Sequence, residues 1–92
     1  MIHSFKHKGL KKLFETGVKS GLKQEHAKRI TFVLALLETA NSPDDMALPG
    51  LNLHELKGNR KGTYAVNISG NGRITFQIKN GDIFNVNDED YH

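Results

Sequence analysis

The apolar period changes at Pro49-Gly50, and this change limits the folds open to the chain. Before it, apolar residues recur at helical spacing. In KHKGLKKLFETG, Leu10, Leu13 and Phe14 stand at i, i+3 and i+4, and Gly17 is a helix stop. A second, stronger helix is predicted through QEHAKRITFVLALLETA, with a stripe of Ile30, Val33, Leu34 and Leu37, widened by Ala27 and by Phe32 or Leu36. SPDD ends it and offers one further turn, with Ser42 as cap and Pro43 at the first position.

After Pro49-Gly50 the pattern alternates. LNLHEL is a short strand candidate; TYAVNIS sets Tyr64, Val66 and Ile68 on one face, and RITFQIK does the same with Ile74, Phe76 and Ile78. Gly70-Asn71-Gly72 and Asn80-Gly81 are turn signals. The last strand, DIFNVN, is expected to point Phe84 and Val86 the same way, and IHSF at the start can add another strand. Two amphipathic helices need cover and one sheet face is apolar. The expected architecture is therefore α+β, two N-terminal helices packed on one face of a small, mainly antiparallel sheet. With no repeat, low-complexity stretch or linker, residues 1–92 read as a single domain.

Period two also places the polar residues. If Ile74, Phe76 and Ile78 face the helices, then Arg73, Thr75, Gln77 and Lys79 face away from them. By the same count His54 joins them, as do Asn85, Asn87, Glu89 and Tyr91. His54, Arg73 and Tyr91 thus share the uncovered face, provided no β-bulge intervenes.

Charge suggests what that face meets. The first 30 residues hold eight Lys or Arg against Glu15 and Glu25, whereas residues 38–55 carry acids only. A basic third in a chain of pI near 9.3 points to a polyanion such as nucleic acid, against the plainer alternative of a lysine-rich solvated helix face. Without cysteine there are no disulfides or thiolate zinc sites, and a cytoplasmic location is the default. No apolar run is long enough for a membrane span.

Two imidazoles, a guanidinium, an ammonium and a phenol in a basic concavity can cut RNA. The ribose 2′-hydroxyl supplies the nucleophile; the protein removes its proton, steadies charge on the phosphate and protonates the departing 5′ oxygen. Histidine suits either proton transfer, with an unperturbed pKa of about 6.5. Arg73 and Lys57 suit the phosphate, and Tyr91 can stack on a base or orient the ribose. Each residue also has a plainer role as a surface or edge group, and His3, His7 and His26 are read as ordinary surface residues. No ligand spacing supports a metal site, and the chemistry requires no cofactor.

LHELKGNRKGTYAV, NGRITFQIKNGD and the closing DYH, together with SFKHKGLKKLFETG, resemble the HigB branch of the RelE superfamily of bacterial toxins over essentially the whole chain. The resemblance implies a RelE-like fold and cleavage of mRNA while it is translated on the ribosome. It also implies a cognate helix-turn-helix antitoxin of the HigA type that holds the toxin inactive. Carried over by residue, it implies catalytic roles for His54, Lys57, Arg73, Asp90, Tyr91 and His92. Lys8, Lys11, Lys12, Lys23, Arg60 and Lys61 are the expected contacts to mRNA and ribosomal RNA. The family often has tryptophan where this chain has Gly72, which removes a packing or stacking contact rather than proton chemistry. A reading from another class remains open: a non-catalytic module of the same fold that grips RNA or poisons a protein target such as DNA gyrase.

Overall fold

A computed structural model describes the backbone through Asp90 and the side chains through Glu89. Two α-helices, α1 (Lys8–Thr16) and α2 (Gln24–Thr39), are followed by a 3-10 turn, η1 (Pro43–Met46). Then come β1 (His54–Glu55), a second 3-10 turn, η2 (Gly58–Arg60), and three longer strands, β2 (Thr63–Ser69), β3 (Gly72–Lys79) and β4 (Asp82–Asp90). The four strands form an antiparallel meander in the order β1-β2-β3-β4.

Both helices pack on one sheet face, as the two apolar stripes demand. Leu10 and Leu13 from α1 and Ile30, Val33, Leu34 and Leu37 from α2 meet Val66, Ile68, Ile74, Phe76, Ile83 and Val86. Of the residues expected to widen the α2 stripe, Leu36 packs against this core and Phe32 is exposed. Among the described residues no helix is long and apolar enough to cross a membrane.

The helix ends follow local chemistry. Gly17, at φ 77°, closes α1 by donating its N–H to the Leu13 carbonyl at 2.9 Å. His7 opens it, its Nδ1 accepting the Leu10 N–H at 3.2 Å. That corrects the reading of His7 as an ordinary surface residue. Pro43 stands first in η1 as expected, and the Asp45 carboxylate accepts from the N–H groups of Asn41 and Ser42.

Three sequence expectations change. LNLHEL contributes only His54 and Glu55 to the sheet, because Leu51 and Leu53 turn into the core before the strand begins. IHSF is not a full strand; Ile2 and Phe5 make isolated parallel bridges to Ile83 and Val86 along the outer edge of β4. Most consequential is β4 itself. Thr75 pairs with Asn87 while Gln77 pairs with Phe84, so an extra residue is accommodated opposite Phe76, and Asn85 takes a left-handed φ of 56°. This bulge separates Phe84 from Val86. Ile83 and Val86 are the buried pair, and Phe84 turns to the helix-free face.

Candidate RNA-processing site

The pairing registers lay three rows of side chains across the helix-free face, since directly paired residues point the same way. Asn67, Arg73 and Glu89 form one row; Ala65, Thr75 and Asn87 form the next, with His54 at its β1 end; Thr63, Gln77 and Phe84 form the third. The bulge flips Phe84 into the third row but leaves Asn87 and Glu89 outward, because the count from Val86 runs beyond it.

Glu89, near the end of edge strand β4, gathers most of the side-chain hydrogen bonds on this face. Its carboxylate accepts two bonds from the Arg60 guanidinium, at 2.9 and 2.6 Å, and one from the Thr75 hydroxyl at 2.8 Å. Longer contacts of 3.4 Å come from Arg73 and from the Asn87 amide. The Arg60 hydrogen bonds hold the Glu89 carboxyl down at about 2, against the opposing effect of desolvation and with help from Thr75 and the Arg73 charge. Arg60 responds in kind, its guanidinium raised by the same hydrogen bond. Among the described residues, two guanidinium groups stand around this one carboxylate. Such a cluster can present a positioned cation to a phosphate.

Neither Glu89 nor its grip on Arg60 was legible as a site from sequence. Parity placed Glu89 on the right face, but nothing in GNRKG marked Arg60 as its partner across 29 residues. The usable signal was the odd acid: Glu89 is outward beside Arg73, and an acid there needs a cation to balance it.

His54 lies in the exposed β1 segment, with its Nδ1 2.8 Å from the Asn52 carbonyl oxygen. A carbonyl can only accept, so Nδ1 carries the hydrogen and Nε2 of the neutral ring holds the lone pair. Arg73 is largely covered, its side chain 14% exposed, on the same face. The η2 turn brings Arg60 over the sheet, but Lys57 and Lys61 line a shallow groove of their own with Glu55, Leu56 and Gly58. Lys8, Lys11 and Lys12 are exposed on α1. Lys23 lines a cleft with His7, His26 and Asp88. Asp90 pairs by its backbone with Gly72, whereas the Asp90 side chain, Tyr91 and His92 lie outside the described residues.

A polar cavity of roughly 180 Å³ adjoins Glu89, lined by Arg60, Thr63, Thr75, Gln77 and Asn85 among others. Lys6, absent from the sequence-based site, reaches it from the segment that runs along β4.

Comparison with known proteins decides the family. Residues 3–92 match the family described as RelE-like toxin of type II toxin-antitoxin system HigB. This chain belongs to the HigB family. A relative from Proteus vulgaris, named Endoribonuclease HigB, is 47% identical over 92 residues, covering both chains completely. HigB membership agrees with the two-helix, four-strand architecture and with the resemblance carried by the LHELKG, GRITF and DYH motifs.

Proposed function

We propose that this HigB-family protein is an endoribonuclease toxin that cuts mRNA during translation. All 92 residues would act as one toxin domain in the cytoplasm, restrained by a cognate antitoxin. The observation that carries the reading is that His54 and the Arg60–Glu89–Arg73 cluster share the helix-free face. The endoribonuclease name of the Proteus relative supports the class of reaction.

In the proposed reaction the 2′-oxygen attacks the adjacent phosphorus and the bond from phosphorus to the 5′ oxygen breaks. A 2′,3′-cyclic phosphate forms on one fragment and a 5′-hydroxyl on the other. The proton from the 2′-hydroxyl goes to an imidazole, and a second proton is given to the 5′ oxygen. His54 fits the first transfer, since its Nδ1–H bond to Asn52 orients Nε2 as the base. His92 is the proposed partner in proton transfer, with Asp90 orienting an imidazole and Tyr91 contacting base or ribose. Arg73 is proposed at the non-bridging oxygens, where a fork of donors strengthens as charge builds, and Lys57 as a mobile point charge.

The ribosome enters through what the site lacks. In-line attack needs a held RNA strand, and few groups on this small face can supply that alignment. Lys8, Lys11, Lys12, Lys23 and Lys61 form the proposed docking surface for ribosomal RNA, which leaves the ribosome to present the message. Arg60 shifts from docking to the site under this reading, because its guanidinium is committed to Glu89. Docking should weaken steeply with salt, as displaced counterions scale with the phosphates contacted.

Mapping of new mRNA 5′ ends after a brief pulse of expression tests the reading. Cuts confined to translated regions, and lost when translation is blocked, are expected. Equal cutting of purified mRNA with and without ribosomes would remove the ribosome from the mechanism, and no cutting in either case would remove the nuclease.

A further inference from the structure

Phe84 is a half-buried aromatic side chain that the fold turns out of the helix-covered core. Nearby in sequence, Ile83 and Val86 are completely buried, and simple alternation counted back from Val86 would bury Phe84 too. The bulge prevents this by placing Asn85 at φ 56°, a conformation Asn tolerates better than most residues. Phe84 then lies in the row of Thr63 and Gln77, on the face that carries Arg73 and His54.

One side of its ring is covered by a second ring. The His3 ring stacks on it with centroids 5.1 Å apart and planes within 16°. His3 Nε2 is in turn 3.1 Å from an Asp82 oxygen, so the backing ring is itself anchored. Phe84 also lines an open groove of roughly 450 Å³ with Gln77, Ile78, Lys79 and Asn85. Beside it the amides are ordered in a chain. Asn85 Nδ2 donates to Gln77 Oε1 at 2.6 Å, and Gln77 Nε2 donates to the Thr63 hydroxyl at 3.3 Å. Gln77 and Asn85 also line the polar cavity next to Glu89, so the groove and that cavity share two of their lining residues.

From this geometry we propose that Phe84 and Gln77 form a nucleobase subsite for the RNA strand, in which a base stacks against Phe84 while Gln77 and Asn85 meet its polar edge. The inference rests on the nuclease reading above and adds where the substrate strand runs. An aromatic face, neighbouring amide donors and acceptors, and flanking cations are the combination that reads unstacked RNA bases. Lys6, Arg60 and Lys79 supply those cations around the two cavities. The row of Phe84 is four β3 residues from that of Arg73, roughly 13 Å along the strand. The strand would therefore cross the sheet from the phosphate clamp to the platform, and the base on Phe84 would flank the cleaved bond rather than belong to it.

The chain has no tryptophan, which makes a direct reporter available. Phe84→Trp, combined with His54→Ala to suppress scission, would carry the protein's only indole at the platform. Titration with a short RNA oligonucleotide should quench its emission saturably. An abasic oligonucleotide of equal length and charge, whose binding is followed by anisotropy of an attached dye, should quench little. Equal quenching by the two strands, or none by either, overturns the subsite. On programmed ribosomes, Phe84→Ala should lower the single-turnover rate by about 5- to 100-fold, the usual range for one lost base stack, and shift which positions are cut. Phe84→Leu keeps an apolar body against His3 and should show the same loss with a normal unfolding midpoint, whereas Phe84→Trp alone should restore cutting. Cleavage by Phe84→Leu at the wild-type rate and positions would also overturn the proposal. Because quenching is read without strand scission, selective quenching by a protein that cuts no RNA would remove the nuclease reading and leave the subsite standing.

Discussion

Glu89 and Arg60 meet fork to fork, both guanidinium arms on both carboxylate oxygens, although 29 residues separate them in the chain. This one contact ties the η2 turn to the last strand. It also holds the Glu89 charge beside Arg73, where it limits how far that guanidinium can wander.

The Glu89 carboxyl, held at about 2, makes stability depend on acid in a defined window. A depressed folded pKa contributes stability that is complete above the unfolded value and fades as pH falls through the folded one. The contribution should therefore be whole near neutrality and decline from roughly pH 5 to pH 2. Because Arg60 is 41% exposed, solvent screening reduces its size to about 1–2 kcal/mol. Urea unfolding of wild type and Glu89→Gln should differ by that amount near neutral pH and converge in acid. A gap that persists unchanged toward pH 2 would show that Glu89 stabilises by packing rather than by charge.

Arg73→Ala should separate chemistry from binding. An interaction that strengthens in the transition state affects the chemical step more than ground-state affinity. The expected loss in single-turnover cleavage is roughly two to three orders of magnitude, as for one removed oxyanion donor. Ribosome binding should largely persist, and Arg73→Lys should recover only part of the rate. The paired replacement of Lys11 and Lys12 on α1 should do the reverse. Equal loss of binding and rate in Arg73→Ala would make it a docking residue.

The tail should be separable from the fold. Among the described residues the buried apolar side chains of β4 end at Val86, ahead of Tyr91 and His92 in sequence. Deletion of the pair, or His92→Ala alone, should reduce cleavage by about a hundredfold or more, the usual loss of an acid–base group. The thermal midpoint should stay close to that of wild type. Growth arrest by either variant at matched expression would sink the assignment of His92.

Gly21 tests the joint between α1 and the loop before α2. A methyl group there would stand 2.9 Å from the Gly9 Cα, and Gly9 faces a similar conflict with the Gly21 carbonyl. Backbone meets backbone, so no flexible side chain can yield. Gly21→Ala should cost about 1–3 kcal/mol by overpacking, measured as a shift in urea midpoint at constant slope. A neutral substitution would mean that the loop can retreat without loosening α1.

Much of the fold was legible because its signals are repeated. Four residues mark the α2 stripe, and three mark each of the β2 and β3 faces. Asn80-Gly81 leaves little freedom in how β3 returns as β4. What escaped was decided by single residues or by distant ones. Asn85 looks like any polar residue in an alternating strand until its neighbours compete for the core, where Ile83 fits and Phe84 does not. His7 became a helix cap through one local hydrogen bond that composition does not announce. At the candidate site, parity was enough for His54, Arg73 and Glu89, whose side-chain direction follows from backbone pairing. It was not enough for Arg60, since a 3-10 turn carries no period from which direction can be read.

The hydrogen bonds between the opening segment and β4 have a bearing on when the toxin can arise during synthesis. His3 and Lys6 donate to Ile83 and Val86, and Ser4 holds Asn85 across a separation of 81 residues. The opening segment thus waits for residues made about 80 positions later before it finds these partners. Closing so long a loop comes late in assembly, since its entropy is lost before the contacts repay it. Until residues 82–90 have emerged, the nascent chain lacks both Glu89 and the edge that bears it. The proposed cleavage face is therefore incomplete until the end of β4 has been made.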